Sequence, residues 1–359
     1  MGRGRRRIAV VAVVVVVACV LGFVGFRTVW RDTHRTDFSR ALDVVPRSTL
    51  RLAFTDWSAV RQKLGVPDQA HPSDATIQKL TSKAYDSDLS AASSIDESTA
   101  ALQKNFGFSP ATAQWEAYAQ SRAGATMVLR MPDGFDMSNV TGHLDDLGFT
   151  RPSKAAGVWK GGVDLVAAID PTITPELQYV AVLADRHLIV TSDEESYAQE
   201  AAATALGDRS SLGDVGSTRA LVDKLDEPAA AMVWSRDFAC SDLAMSQADQ
   251  DGQDQAESLV NEAGGVSPLN GLVMALAPDR GLTVAELFES SSQAKQNLRP
   301  RARLAVGDAP GRGGSFSDDL KLTVSRTDGA AVILRLQPKE RTGYVLSALD
   351  NGPVLFATC

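Results

Sequence analysis

His34, His71, His143 and His187 are the four histidines of the 359-residue chain. None stands at metal-ligand spacing from another and no His-Glu-x-x-His run occurs, so zinc-dependent hydrolysis has no carrier here. Gly264-Gly265-Val266-Ser267 lacks the glycine two residues beyond the serine that a nucleophile elbow needs. The acidic run Asp249-Gln250-Asp251-Gly252-Gln253-Asp254 resembles a calcium loop only in part. With Gly252 at the sixth position, Gln247 comes first and Ser258 falls where a bidentate glutamate is required. That run reads instead as a solvated loop or a helix start. Gly307–Gly314, GDAPGRGG, has no Gly-Lys-Ser/Thr and is no Walker loop. Two features remain. Arg299, Arg301, Arg303 and Arg312 make the most basic local stretch, able to meet a phosphate or an acidic partner. Cys240 and Cys359 form an even pair that can close a disulfide in an oxidising compartment. No cofactor, no metal and no enzymatic activity is expected from these residues.

The redox setting of that pair depends on the N-terminal residues. Ile8–Phe26 carries no charged or strongly polar side chain over 19 residues. As a helix this run measures ~28 Å, enough for a bilayer core and longer than the apolar core of a cleaved signal. It is flanked by Arg5, Arg6 and Arg7 on one side and by Arg27, Trp30 and Arg31 on the other, which suits interfacial anchoring. Val16-Val17-Ala18-Cys19 also fits a lipoprotein cleavage site, but the residues after Cys19 stay apolar. The reading is therefore a single-pass plasma-membrane anchor, with the N-terminus cytoplasmic and the C-terminal domain extracytoplasmic.

Charge excludes one class of partner. Seven of the 36 basic residues but one of the 44 acidic ones lie within residues 1–36, so the remainder carries a large negative excess. Phosphate backbones need clustered Lys and Arg, and nucleic acid is not an expected partner. Apolar residues make up 44% of the chain, enough for a folded body built on small aliphatic side chains.

Periodicity and punctuation place the elements. A strand over Leu50–Phe54 leads into a helix capped by Asp56. Helices are predicted over Thr76–Tyr85, Asp88–Asn105, Ala111–Gln120 (after Ser109-Pro110) and Met137–Leu147. Strands are predicted at Ala125–Met131, Val158–Lys160 and Leu165–Ile169. A hairpin, Tyr179–Leu183 and His187–Thr191, turns at Ala184-Asp185-Arg186, and a helix follows to Leu206-Gly207. The second half echoes this: a strand at Ala229–Trp234, Asp237-Phe238 opening a helix, and a hairpin turning at Ala277–Arg280. Near the end, Lys321–Ser325 and Ala331–Gln337 alternate around Thr327-Asp328-Gly329. A helix over Thr342–Leu349 and a strand over Val354–Phe356 complete the prediction.

Three segments, ALDVVPRSTLRLAFTDWSAVRQKLG, FGFSPATAQWEAYAQ and SSQAKQNLRPRARLAVGDAPGRGGSF, resemble single-pass, membrane-anchored exported proteins of actinobacteria that have no established activity. The resemblance implies location and fold rather than chemistry. The expected architecture is an α+β protein with one N-terminal transmembrane helix. A cytoplasmic tail (1–7), the anchor (8–26) and a stalk (27–45) precede an ectodomain of two lobes (46–215 and 216–359), strand-helix-hairpin units with antiparallel sheets. The expected function is a non-catalytic cell-envelope binding module that contacts the membrane through its anchor and binds an envelope protein or lipid. The alternatives are an envelope hydrolase with a carboxylate site and a lipid-binding ectodomain.

Overall fold

The computed structural model describes residues 35–235, 238–340 and 342–359. Asp37–Cys359 forms one compact unit around an antiparallel sheet of eleven strands, flanked by helices on both faces. The elements run α1 (Asp37–Ala41), β1 (Arg51–Thr55), α2 (Trp57–Leu64), α3 (Asp74–Asp86), α4 (Thr99–Phe106), β2 (Trp115–Ser121), β3 (Gly124–Arg130), α5 (Met137–Asp146), β4 (Val158–Lys160), α6 (Val163–Ile169), β5 (Tyr179–Leu183), β6 (Leu188–Ser192), α7 (Glu195–Leu206) and α8 (Gly216–Val222). They continue with β7 (Ala230–Ser235), α9 (Gln250–Ala263), β8 (Gly271–Leu276), β9 (Leu282–Leu287), α10 (Ser291–Leu304), α11 (Phe316–Asp319), β10 (Leu320–Asp328) and β11 (Ala331–Pro338).

The spatial order is β10-β11-β9-β8-β7-β1-β2-β3-β6-β5-β4. The first strands of the two chain halves, β1 and β7, therefore lie side by side at the middle, paired from Arg51↔Trp234 to Thr55↔Ala230. This corrects the expected pair of separate lobes: both halves build one sheet. The stalk is corrected too, because Phe38, Ala41, Leu42 and Val45 are fully buried in the core of one face.

Central strands such as β8, GLVMAL, are apolar throughout because both sides are covered. Leu272, Met274 and Leu276 pack on the first face with Trp57, Leu80, Phe106 and Leu144 from α2, α3, α4 and α5. Val273 and Ala275 pack on the second, beneath Phe38 of α1, Ala198 and Ala201 of α7, and Leu221 of α8. The second layer is thin and built on alanine, which brings α7 close to the sheet. At the edges, β4 has three residues, and β10 exposes Lys321 and Arg326, both devices that discourage edge pairing.

Local reading fails at four places. Ala111–Gln120 was expected as a helix, but Trp115–Ser121 is strand β2. The Ser109-Pro110 signal closes a tight turn instead, with Thr112 N and Ala113 N donating to Ser109 O. Trp115, Ala117 and Ala119 fill the second face between β1 and β3, and tertiary packing overrides the helical propensity of alanine. Leu165–Ile169 lies in helix α6, not a strand, and helix structure in Asp88–Asn105 is confined to α4. The C-terminal segment forms turns and a short 3-10 helix, Leu355–Ala357, in place of a helix and strand.

Among the described residues no helix is long and apolar enough to cross a membrane. The expected span Ile8–Phe26 and its flanks Arg5, Arg6, Arg7, Arg27, Trp30 and Arg31 lie outside the described residues. The single-pass, plasma-membrane assignment is corrected accordingly.

Arg301 holds the C-terminal segment in place. Its guanidinium is completely buried, donates from Nη1 to Phe356 O and Thr358 O (2.7 Å each) and from Nη2 to Ser267 O (2.6 Å). Its Nε lies 3.9 Å from Glu286 Oε2, also completely buried. One residue beyond Thr358, Cys359 is joined to Cys240, as the sequence predicts. Replacing Arg301 by Met strands three carbonyls and a buried carboxylate. Arg301→Met should lower the urea unfolding free energy by about 3–5 kcal/mol, and Arg301→Lys, which lacks the planar fork, should recover only part of that loss. A loss near zero for Arg301→Met would show that the clasp contributes nothing to the fold.

Candidate functional site

The sequence-predicted residues divide. Cys240 and Cys359 come together as a disulfide across 119 positions. The four arginines do not assemble into one patch. Arg301 points into the core, Arg299 and Arg303 are exposed on α10, and the guanidinium of Arg312 donates to Ala348 O. Asp249 caps α9, accepting Gly252 N at 2.8 Å, so the acidic run is a helix start. Among the described residues no group of three or more His, Cys, Asp or Glu is placed to hold a metal ion.

Several carboxyls have displaced pKa values, and a hydrolase would need to be built from these. Burial pushes Glu116 up, although it accepts from Trp57 Nε1 (3.0 Å), Ser93 Oγ (2.7 Å), Ser94 N (2.7 Å) and Ser94 Oγ (2.9 Å). Burial likewise raises Glu286 to about 7, against the pull of Arg301. Nearer the surface, Asp37, Asp56 and Glu227 face one another. Burial raises Glu227 to about 7 and Asp56 to about 6, with the charge of Asp37 adding to both. Both are nonetheless occupied. Glu227 accepts Asp37 N at 2.7 Å and Phe38 N at 3.0 Å, fixing the start of α1, while Asp56 accepts Ala59 N at 2.8 Å and caps α2.

The second face carries a different feature. A cavity of 470 Å3 opens where α1, the start of β2, the end of β3, the β5–β6 turn and the end of α7 meet. Arg40, Arg130 and Arg186 line it, with Asp37, Asp133 and Gln114. Val44, Trp115, Leu188 and Ala205 supply the apolar part of its wall. Strand register creates the site: Arg130 ends β3 directly opposite Leu188, two residues from Arg186 in the hairpin turn. The guanidinium of Arg130 is oriented by Met131 O (2.6 Å), His187 O (3.4 Å) and Asp133 Oδ1 (2.5 Å). His187 takes a left-handed conformation, φ 50°, which directs its carbonyl there. Arg186 donates to Leu206 O at 3.2 Å and has no carboxylate within ion-pair distance among the described residues. Arg40 pairs with Asp37 at 2.8 Å.

None of these three arginines stood out in the sequence. They are 56 or more positions from one another or isolated among acids, and only the β3–β6 pairing and the return of α1 across the sheet bring them together. The one local signal is Arg186 in a hairpin turn, a position that faces solvent for most residue types.

No protein-family model matches the chain, and no curated protein matches it. Two solved structures align with most of it. Crystal form I of TP0453 is 9% identical over 88% of this chain and 98% of that one, with a TM-score of 0.37. Crystal form III is 10% identical over 86% and 96%, with a TM-score of 0.38. At those scores the likeness carries no argument.

Glu227, Glu286 and Asp56 bind protons more tightly in the folded protein than in the unfolded chain. Between the unfolded carboxyl values and about 7 the folded state holds more protons, so these groups make stability fall as pH rises through that window. Urea unfolding from about pH 5 to about pH 8 should show a declining free energy, with a shallower decline in Glu227→Gln. A stability that climbs across the same range in the wild type would contradict these assignments.

Proposed function

We propose that this protein is a non-catalytic binding module that works in an oxidising compartment and uses the arginine-lined cavity of its second face. The observation that carries this reading is how four of the displaced carboxyls, Glu116, Glu286, Asp56 and Glu227, are used. General acid–base chemistry needs an acid and a base free to reach the same substrate atoms. Here Glu116 is saturated by four donors, Glu286 faces Arg301 inside the core, and Asp56 and Glu227 cap helices. The Cys240–Cys359 disulfide supports the oxidising compartment.

The Asp37–Asp56–Glu227 cluster favours a second reading, a hydrolase that works through Glu227, raised to about 7, and Asp56, raised to about 6. The two readings separate in one experiment. Formaldehyde crosslinking in the producing cell is compared for the wild type and an Asp56→Asn variant, which keeps the oxygen that accepts Ala59 N and whose fold is checked by circular dichroism. A binding module gives the same adducts in the same yield from both. An adduct that accumulates only with the variant marks a trapped substrate and overturns the non-catalytic reading.

A further inference from the structure

The hydrogen-bonding capacity left over in the arginine-lined cavity defines what fits it. Arg130 spends its two Nη1 hydrogens and one Nη2 hydrogen on Met131 O, His187 O and Asp133, which leaves Nε–H and one Nη2–H. Arg186 spends a single Nη2–H on Leu206 O, so its Nε and Nη1 donors are unused. Asp37 and Asp133 each engage Oδ1 with an arginine and keep Oδ2. The Gln114 side chain is half-buried, and its carboxamide can both donate and accept.

Charge gives the second constraint. Three guanidiniums against two carboxylates leave one positive charge in excess. That excess belongs to Arg186, which has no acidic partner among the described residues. A planar guanidinium pairs as a fork with two oxygens of a carboxylate or a phosphate, and the single excess charge selects the singly charged carboxylate over a doubly charged phosphate monoester. The two spare aspartate oxygens are pure acceptors. They repel a second negative charge and reward hydroxyl groups. The volume, 470 Å3, lies in the range of small-molecule sites.

Resting on the binding-module reading, we propose that this cavity is a binding site for a polyhydroxylated monocarboxylate of the sugar-acid class. The carboxylate is held by Arg186 and Arg130, and the hydroxyls by Asp37, Asp133 and Gln114. Each feature of the ligand answers one feature of the wall: its single negative charge meets the single excess positive charge, and its hydroxyl donors meet the spare carboxylate oxygens. An uncharged sugar lacks the first match and a simple carboxylate lacks the second.

The test is calorimetric titration of the full chain with glucuronate, with glucose and acetate as the partial matches. Saturable binding of glucuronate is expected, with glucose and acetate each weaker by about tenfold or more, the size of a lost charge-assisted contact. Arg186→Gln should weaken glucuronate by about tenfold or more while leaving the circular dichroism spectrum and the urea midpoint unchanged. Asp133→Asn provides a second variant. It removes an acceptor and a negative charge, so discrimination between glucuronate and acetate should shrink while acetate itself binds no worse. Heat equal to that of buffer dilution with glucuronate, or equal binding by the wild type and Arg186→Gln, would overturn the proposal. The crosslinking comparison reads out separately. Adducts shared by the wild type and the Asp56→Asn variant, alongside a failed titration, reject the sugar-acid site and keep the binding module.

Discussion

The antiparallel ladder between β1 and β7 makes one protein out of two chain halves. Leu52 and Phe54 of β1 and Ala231 and Val233 of β7 lie on the second face, and Ala53, Met232 and Trp234 lie on the first. Both strands are buried on both sides. Either half alone would expose a full-length edge strand with an apolar row on each face, a surface that cannot remain in water unpaired. Two crossings reinforce the ladder. On the first face the C-terminal segment returns to the first half, where Asp88 Oδ2 accepts Val345 N and Leu346 N at 2.7 and 2.6 Å and Asp350 meets Arg51 at 3.6 Å. On the second face α1 returns to the second half. There Glu227 holds its first turn, Asp223 accepts Ser39 Oγ at 2.8 Å, and Arg219 reaches Ser39 O at 2.6 Å and the Asp43 carboxylate.

That second crossing bears on function. The arginine-lined cavity takes one wall, with Asp37, Arg40 and Val44, from α1 and its extension, and the remainder from β2, β3, the β5–β6 turn and α7. The wall from α1 is fastened by residues of the second half, so the geometry of a site lined by first-half residues depends on the integrity of the whole sheet. Glu227 links this to pH. Its carboxylate form is the stronger acceptor for the two backbone N–H groups, while burial beside Asp37 and Asp56 favours the protonated form. The clasp on α1 thus titrates near neutrality.

Much of the fold was legible because many elements carry their own signals. Asp56, Ser73 and Asp136 cap the helices predicted after them, Gly207 and Gly65 terminate theirs in left-handed conformations, and the alternation in Ala331–Pro338 is that of a strand. The Cys240–Cys359 pair was legible as the even pair of cysteines beyond the N-terminal residues. What was hidden depends on pairing. Nothing local distinguishes alanine-rich β2 from a helix; Ala117 and Ala119 are buried only because β1 and β3 lie on either side. Arg301 read as part of a basic patch because α10 looks polar throughout, yet its one buried stripe includes Ala294, Asn297 and Arg301 and faces the C-terminal segment. The cavity was hidden for the same reason, since register rather than sequence proximity places Arg130 beside the Arg186 turn.

Native-state hydrogen exchange tests most directly whether the two halves are one cooperative body. The β1–β7 ladder predicts that amides of β1, β7, β2 and β8 exchange with one common free energy, equal to that of global unfolding measured in urea. A split pattern, in which the strands of one half open at a distinctly lower free energy while those of the other stay protected, would contradict it.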